Sequence, residues 1–205
     1  DASTIDVGAA AAVCLPTDTA GVAACVGVTR RHGRPFVARG SGTGLAGGAV
    51  PLDGAVVIST TRRNAIRSVD IDQRVAWVQP GVINRDLTRV LAPHGVHFAP
   101  DPSSQQACSI GGNVANNAGG PHCLAYGVTS AHVLALEVVL PDGTVTVLGA
   151  ADGVGGVPGS DLRGAFVGSE GTFGIATAVA VRLTPNPPAV QTRLVDFARG
   201  EDDAA

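Results

Sequence analysis

The stretch ARGSGTGLAGGAVP, residues 38–51, holds glycine at positions 40, 42, 44, 47 and 48. Residues 42–47 match the pattern G-x-G-x-x-G, which is typical of a turn that binds the phosphates of a dinucleotide. Residues 35–38, PFVA, predict a strand directly before it. A dinucleotide turn of this type must be followed by a helix, because the phosphates bind at the N-terminus of that helix.

The residues after Gly44 oppose a helix. The pair Gly47-Gly48 costs a helix about 1 kcal/mol per glycine, and an interior proline such as Pro51 costs about 3 kcal/mol. We therefore expect successive backbone N–H groups to form a concave anion site instead, with Arg39 at its mouth. A glycine-rich surface loop without a ligand is the alternative that this stretch alone leaves open.

The composition excludes several classes of protein. The 205 residues are 45% hydrophobic and 15% charged, as in a globular chain. All 14 basic residues are arginine, which excludes the lysine-dependent phosphate loop of P-loop NTPases. The net charge is −3 and there is no basic run, so we expect no nucleic-acid binding. No apolar run approaches the ~20 residues of a membrane helix, so we expect no membrane span.

The cysteines and the missing methionine also carry information. The four cysteines form no C-x-x-C pair and no signal peptide is present, which predicts reduced thiols and a cytoplasmic protein. Since the sequence contains no Met, we expect that it is trimmed at its N-terminus. His94 and His97 are spaced H-x-x-H, but no third ligand has a suitable spacing, so we expect no metal site.

The hydrophobic pattern predicts an α+β fold. A strand over residues 10–15, a helix from Asp18 and the strand over residues 35–38 suggest a parallel βαβ unit. The turn Pro141-Asp142-Gly143 predicts a hairpin, and residues 99–121 are a long polar and glycine-rich region for which no helix or strand is predicted. Other elements are predicted over residues 54–58, 65–69, 74–79 and 174–183 as strands, and over 81–92 and 161–166 as helices.

Five polar or aromatic side chains outside the glycine stretch have simpler interpretations. Arg62, Arg63 and Arg67 form a local basic group that we interpret as a solvated surface. Glu137 lies in a strand pattern and is expected to face solvent or to pair with an arginine. Trp77 is expected in the core.

Two further stretches resemble the first in composition. They are IGGNVANNAGG, residues 110–120, and VGSEGTFGI, residues 167–175. Three separated stretches of small residues suggest backbone walls that lie against one large, flat ligand.

The three stretches, in this order and spacing, resemble a known family. PFVARGSGTGLAGGAVP (35–51), APDPSSQQACSIGGNVANNAGGPHCLAYG (99–127) and FVGSEGTFGI (166–175) are similar to the FAD-binding domain of the vanillyl-alcohol-oxidase-type, or PCMH-type, flavoproteins. Within that family, they most resemble the FAD subunits of bacterial glycolate oxidases and the D-lactate and D-2-hydroxyglutarate dehydrogenases. The resemblance covers residues 10–188 and implies two FAD-binding subdomains, residues 1–60 and 61–188, with residues 189–205 beginning a truncated C-terminal region.

The resemblance also implies a set of site residues. It implies non-covalent FAD, because Thr43 stands where some relatives carry a histidine that links to the flavin, and it places no catalytic residue in this chain. The implied cofactor-binding residues are Arg39, Gly40, Ser41, Gly42, Thr43, Gly44, Leu45, Gly48, Pro100, Asp101, Ser103, Gly111, Gly112, Asn113, Asn116, Ala118, Gly119, Gly120, Tyr126, Gly127, Glu170, Gly171, Gly174 and Ile175.

The implied function is the FAD-binding portion of an oxidoreductase that oxidises a small 2-hydroxy acid by hydride transfer to flavin. The family's substrate cap is missing here, so we expect this chain alone to be inactive. Two alternatives stay open: the same fold serving an aldonolactone, ether-lipid or cell-wall precursor, and a non-catalytic FAD-binding module. A dimer, partner subunits, and attachment to the inner membrane through such subunits stay open as well.

Overall fold

A computed structural model describes residues 1–4, 7–150, 152 and 159–193. The chain opens with a strand–helix–strand–strand unit whose three strands are all parallel, with the third in the middle of the sheet. Its elements are β1 (Ala12–Cys14), α1 (Thr19–Arg31), β2 (Phe36–Arg39) and β3 (Val56–Ser59). Helix α1 begins where expected, because the Asp18 carboxylate accepts a hydrogen bond from the N–H of Gly21 at 2.6 Å.

The rest of the chain builds a larger antiparallel sheet of five strands, in the order Ile66–Asp70 (β4), Val75–Val78 (β5), Ile175–Arg182 (β9), Val133–Val139 (β7) and Val145–Gly149 (β8). A separate antiparallel pair joins Val96–His97 (β6) to Thr184–Pro185 (β10). The predicted hairpin is confirmed as β7 and β8, and the mixture of the two sheets confirms the α+β class. The elements are β4 (Ile66–Asp70), β5 (Val75–Val78), α2 (Asn84–Leu91), β6 (Val96–His97), α3 (Ile110–Asn116), α4 (Cys123–Tyr126), β7 (Val133–Val139), β8 (Val145–Gly149), α5 (Leu162–Phe166), β9 (Ile175–Arg182) and β10 (Thr184–Pro185).

Two apolar clusters hold these layers together. The larger one lies between the five-stranded sheet and the helices α2, α3 and α5, and includes Leu87 and Leu91, which are four residues apart on one face of α2. The second cluster packs Val22 and Val26 of α1 against Ile58 of β3 and against two residues of the larger sheet, Val139 and Ile175. Helix α1 therefore joins the two sheets. None of the helices in the described ranges is long and apolar enough to cross a bilayer.

Helix α3 is the main element that the sequence did not predict. It occupies part of the polar and glycine-rich region, for which the sequence predicts no helix. Ser109 caps its N-terminus by accepting a hydrogen bond from the N–H of Gly112, and Asn117 ends it in the left-handed conformation with φ of 46°. Two glycines near its start disfavour a helix in isolation, so packing against the sheet must stabilise it. Trp77, expected in the core, is only half-buried.

The prediction that Arg63 belongs to a solvated surface is wrong, because its side chain is fully buried. Its Nη2 donates to the backbone oxygen of Thr177 at 2.7 Å and to Oγ1 of Thr19 at 3.0 Å. Glu137 accepts hydrogen bonds from both threonine hydroxyls at 2.7 Å and lies 3.6 Å from Arg67, so its predicted pairing with an arginine is confirmed. We call these five residues the Arg63 cluster; it joins α1 to strands β7 and β9.

Burial and neighbouring groups together shift the pKa values of Arg63 and Glu137. Burial lowers the pKa of Arg63 below its ordinary value, and nearby Arg67 lowers it further. Burial alone raises the pKa of Glu137, but hydrogen bonds from Thr177 and Thr19 and the charges of Arg67 and Arg63 outweigh it, so the net pKa is lowered. The carboxylate is therefore held in its charged form by donors on α1 and β9.

Candidate functional site

A cleft of about 370 Å³ opens between the two sheets, within the range of about 300–1,000 Å³ that small-molecule sites occupy. We call it the glycine cleft. All three glycine-rich stretches contribute to it, together with Asp1, Thr60 and Pro80. Its walls are residues 38–45, 48 and 49 from the first stretch, 102–104, 108, 109, 111–116 and 118 from the second, and 166, 169–171 and 174–176 from the third.

The first wall is the loop that leaves β2. Gly42 has φ of +75° and Gly47 has φ of +81°, a conformation that side-chain-bearing residues rarely adopt. Within the part of the chain that the structure describes, the backbone N–H groups of residues 42–45 have no hydrogen-bond partner. The loop therefore offers successive free donors along the cleft, as an anion-binding concavity requires. No helix follows, as expected.

The second wall is helix α3, which approaches the first loop closely. A Cβ added to Gly40 would lie 2.5 Å from Oγ of Ser109, the residue that caps α3. A Cβ added to Gly111 would lie 2.7 Å from Cβ of Pro80, which also lines the cleft. Glycine at these positions lets the backbones of the two walls come together, so the small residues set the width of the cleft.

The buried side chain of Asn84 supports this wall through hydrogen bonds. Nδ2 of Asn84 donates to the backbone oxygen of Pro100 at 2.8 Å and to Oδ1 of Asn113 at 2.9 Å. Nδ2 of Asn113 in turn donates to Sγ of Cys108 at 3.3 Å. Sequence reasoning did not identify Asn84; a polar residue in a helix with an otherwise apolar face was the only signal.

The third wall is hydrogen-bonded to the second. The N–H of Gly168 donates to the oxygen of Val114 at 2.8 Å, and the N–H of Glu170 donates to the oxygen of Ala115 at 2.9 Å. These bonds engage carbonyl groups in the last turn of α3, where the oxygen of Val114 also accepts from the N–H of Asn117 at 3.3 Å. Glu170 itself adopts φ of +53°, which is uncommon for a residue other than glycine.

Most of the predicted site residues line the cleft, and six do not. Those that line it are Arg39, Gly40, Ser41, Gly42, Thr43, Gly44, Leu45, Gly48, Ser103, Gly111, Gly112, Asn113, Asn116, Ala118, Glu170, Gly171, Gly174 and Ile175. Those outside the lining are Pro100, Asp101, Gly119, Gly120, Tyr126 and Gly127.

Other contacts occupy several of these six residues. The carboxylate of Asp101 is 2.6 Å from Nδ1 of His122, and the backbone oxygen of Pro100 accepts the hydrogen bond from Asn84. The ring of Tyr126 packs edge-on against His97, with 5.8 Å between ring centroids. A role for these residues in cofactor binding therefore stays a prediction.

The lining of the cleft contains few charged or titratable side chains. Among the described residues that line it, the charged side chains are Asp1, Arg39 and Glu170, and none is histidine or tyrosine. No group of three or more potential metal ligands occurs within the described ranges. Nδ1 of His97, part of the H-x-x-H pair, contacts Oδ1 of Asn186 at 2.9 Å. Such a cleft can hold a ligand through backbone donors and hydroxyls, but it offers little for proton transfer.

Comparison with known proteins assigns this chain to a family. A family model described as an FAD binding domain matches residues 10–149. The glycolate oxidase subunit GlcD of Escherichia coli K12 is 47% identical over 185 residues, which are 90% of this chain and 37% of that protein. A D-lactate dehydrogenase of Anaerostipes hadrus is 38% identical over 186 residues, 91% of this chain and 39% of that protein.

The fold is shared with a solved structure as well. An alkyldihydroxyacetonephosphate synthase superposes with a TM-score of 0.74 at 25% identity, over 86% of this chain and 34% of the synthase. The present chain spans less than two fifths of the length of each of these proteins. The resemblance seen in the sequence is confirmed: this chain belongs to the FAD binding domain family, and its cofactor is FAD.

Proposed function

We propose that this chain is the FAD-binding part of an oxidoreductase that oxidises a small 2-hydroxy acid of the glycolate or D-lactate type. The relatives at 47% and 38% identity carry the names of enzymes for such acids, whereas the synthase is only 25% identical. The higher sequence identity to these two enzymes favours hydroxy acids over the substrates of more distant proteins with the same fold. The division into residues 1–60 and 61–188 is part of the same proposal.

The observation that carries the proposal is the set of free backbone donors in the first wall of the glycine cleft. The N–H groups of residues 42–45 suit the negatively charged pyrophosphate of FAD. The Arg39 guanidinium, which donates to the oxygen of Gly40 at 3.0 Å, adds a positive charge beside them. The narrow small-residue walls on α3 and at residues 169–171 suit the flat rings of the cofactor.

We assign the predicted site residues on this basis. Residues 39–45 and Gly48 would hold the pyrophosphate. The remaining cofactor contacts would come from Ser103, Gly111, Gly112, Asn113, Asn116, Ala118, Glu170, Gly171, Gly174 and Ile175.

The bound FAD would be non-covalent. Thr43 occupies the first loop, and none of the described residues in the cleft lining is a histidine or tyrosine. Cys108 does line the cleft, but it is buried and accepts a hydrogen bond from Asn113.

The chain's own contribution is to bind and orient. FAD supplies the chemistry, since its flavin accepts a hydride. The residues of the cleft hold the cofactor, and the buried bonds of Asn84 keep the cleft walls in place. No base is assigned to this chain, and we propose that turnover requires the rest of a longer protein. We also propose a cytoplasmic location and partner subunits, in line with the name of the Escherichia coli relative as a subunit.

Two measurements test the proposal. The first is the visible absorption spectrum of the purified chain after incubation with FAD and desalting; retained flavin bands are expected, and a colourless protein would contradict the cleft assignment. The second is anaerobic flavin reduction in the longer protein by glycolate and by D-lactate. Reduction by neither acid, in a protein that holds FAD, would contradict the substrate class alone.

A further inference from the structure

Two of the four cysteines lie in the strand–turn–helix unit near the start of the chain. Cys14 is the last residue of β1, and Cys25 lies in the middle of α1. Both are half-buried free thiols. Neither has a place in the glycine cleft, so the proposed function leaves them unexplained.

The turn between β1 and α1 brings together the two segments that carry these cysteines. A Cβ added to Gly21 would lie 3.2 Å from Cβ of Pro16, so these two positions face each other across the turn. Cys14 precedes Pro16 by two residues, the spacing at which side chains of an extended segment share a face. Cys25 follows Gly21 by four residues and lies on the same face of α1.

The distances along the two segments match. Two residues of extended chain span about 6.6 Å, and four residues of helix span about 6 Å. Cys14 and Cys25 therefore lie at similar distances from the facing pair Pro16 and Gly21, on two segments that run side by side. The neighbouring strand agrees with this: Cys14 is in register with Ile58, and Ile58 and Cys25 pack in one apolar cluster.

The two thiols are close enough to influence each other. Burial, and after it hydrogen bonding with the neighbouring Cys14 side chain, raise the pKa of Cys25 to about 11. Cys25 therefore keeps its proton near neutral pH, and Cys14 is the sulfur better placed to react first.

We propose that Cys14 and Cys25 are a modification site that forms a reversible disulfide with an oxidant of the peroxide class. The thiolate of Cys14 attacks one oxygen of hydrogen peroxide, the O–O bond breaks, and hydroxide leaves. The sulfur of Cys25 then attacks the sulfenic sulfur of Cys14, so that an S–S bond forms and the S–O bond breaks. The departing oxygen takes up the proton of Cys25, and two thiols and one peroxide give one disulfide and two waters.

The disulfide would tie β1 to α1 and leave the glycine cleft chemically unchanged. The loop that it closes spans residues 14–25, whereas the cleft begins at residue 38 apart from Asp1. The site therefore does not depend on FAD, and its test can be read from the protein without cofactor.

The experiment is a thiol map of the reduced chain after exposure to hydrogen peroxide. Free thiols are alkylated in denaturant, and the protein is then cut with trypsin. Since the chain has no lysine and Arg30 is its first arginine, one peptide contains both cysteines. We expect that peptide to be unalkylated and lighter by two hydrogens, and to take up two alkyl groups if it is reduced first.

Single variants test the order of the steps. In Cys25→Ser, the sulfenic acid at Cys14 should persist and be trapped by dimedone; in Cys14→Ser, Cys25 should give no adduct. Cys108→Ser is the matched control and should form the link as the unchanged chain does. Oxidation of the exposed Cys123 shows that the peroxide acted. Two alkylated thiols in the first peptide alongside oxidised Cys123, or a link from Cys14 to any other cysteine, would overturn the proposal.

Discussion

The glycine cleft and the Arg63 cluster both lie where the two sheets meet, and they are built in opposite ways. In the cleft, glycines remove the side chains, so backbone donors face open space. In the cluster, one long cation crosses the boundary and bonds to residues of α1 and β9. The boundary between the two sheets is therefore an open cleft where glycines lack side chains, and it is filled where the long side chain of Arg63 crosses it. Changes in the two regions should therefore affect different properties: ligand binding for the cleft and stability for the cluster.

The largest effect is expected in the Arg63 cluster. Replacing Arg63 with Met removes the donor to Thr19 and Thr177 and leaves the charge of Glu137 less compensated. Each buried acceptor left without its donor costs about 1–3 kcal/mol, and the changed charge balance at Glu137 adds to this loss. Urea unfolding should show this loss. The exposed neighbour provides the control, since Arg62→Met should change stability by no more than about 0.5 kcal/mol. Equal losses in both variants would remove the distinction between the two regions.

The next effect is expected in the cleft and concerns binding. In Gly42→Val, the new valine must adopt φ of +75°, which costs a β-branched residue about 1–3 kcal/mol. The loop should therefore rearrange. FAD affinity should fall by roughly 5- to 150-fold, the range that this energy corresponds to. Fluorescence titration of FAD measures it. Gly33→Val is the matched control, because Gly33 has φ of +58° with open space around it and lies outside the cleft. If Gly33→Val weakened FAD binding equally, general strain would explain both results.

Asn84 connects the two properties, since it is buried like Arg63 but supports a wall of the cleft. Replacement by Ala removes the donor to Pro100 and Asn113, at a cost of about 1–2 kcal/mol for buried acceptors left without partners. Both the unfolding free energy and the FAD affinity should fall. Asn186→Ala, which breaks an exposed contact with His97, should change neither. An Asn84→Ala protein with reduced stability and unchanged FAD affinity would show that the wall does not need this support.

The smallest effect concerns pH. The pKa of Glu137 is lowered in the fold, so its stabilisation is complete above the unfolded value of about 4.5 and is lost as the pH falls through the lower folded value. The unchanged protein should therefore lose stability on acidification below about pH 4.5, and Glu137→Gln should lose less over the same interval. Urea unfolding at a series of acid pH values gives the two slopes. Identical slopes would mean that other carboxylates dominate the acid response.

The sequence predicted those parts of the molecule that depend on local pattern. The hairpin at Pro141-Asp142-Gly143 and the cap at Asp18 were predicted because turn and cap chemistry is carried by adjacent residues. The glycine stretches predicted the cleft because only small residues permit the close approach that Gly40 shows towards Ser109.

The remainder depends on tertiary packing. Arg63 lies beside Arg62 and near Arg67, so nothing local distinguishes the buried arginine from its exposed neighbours. Helix α3 has poor local propensity because of its glycines, and its stability comes from contacts with the sheet and with residues 168–170. Asp101 and Tyr126 belong to the motif, but contacts with His122 and His97 decide where their side chains lie.

The hydrogen bonds from Gly168 and Glu170 to α3 have a consequence for how a ligand enters. They make the second and third walls a single unit. In the first wall, the N–H groups of residues 42–45 have no partner among the described residues, and Gly44 is held through its oxygen, which accepts from the N–H of Ala2 at 2.9 Å. We therefore expect the first loop to move when a ligand enters, while the second and third walls keep their positions. The conformational entropy lost on binding would then come mainly from residues 42–45, and the motion of this loop would set the rate of ligand release.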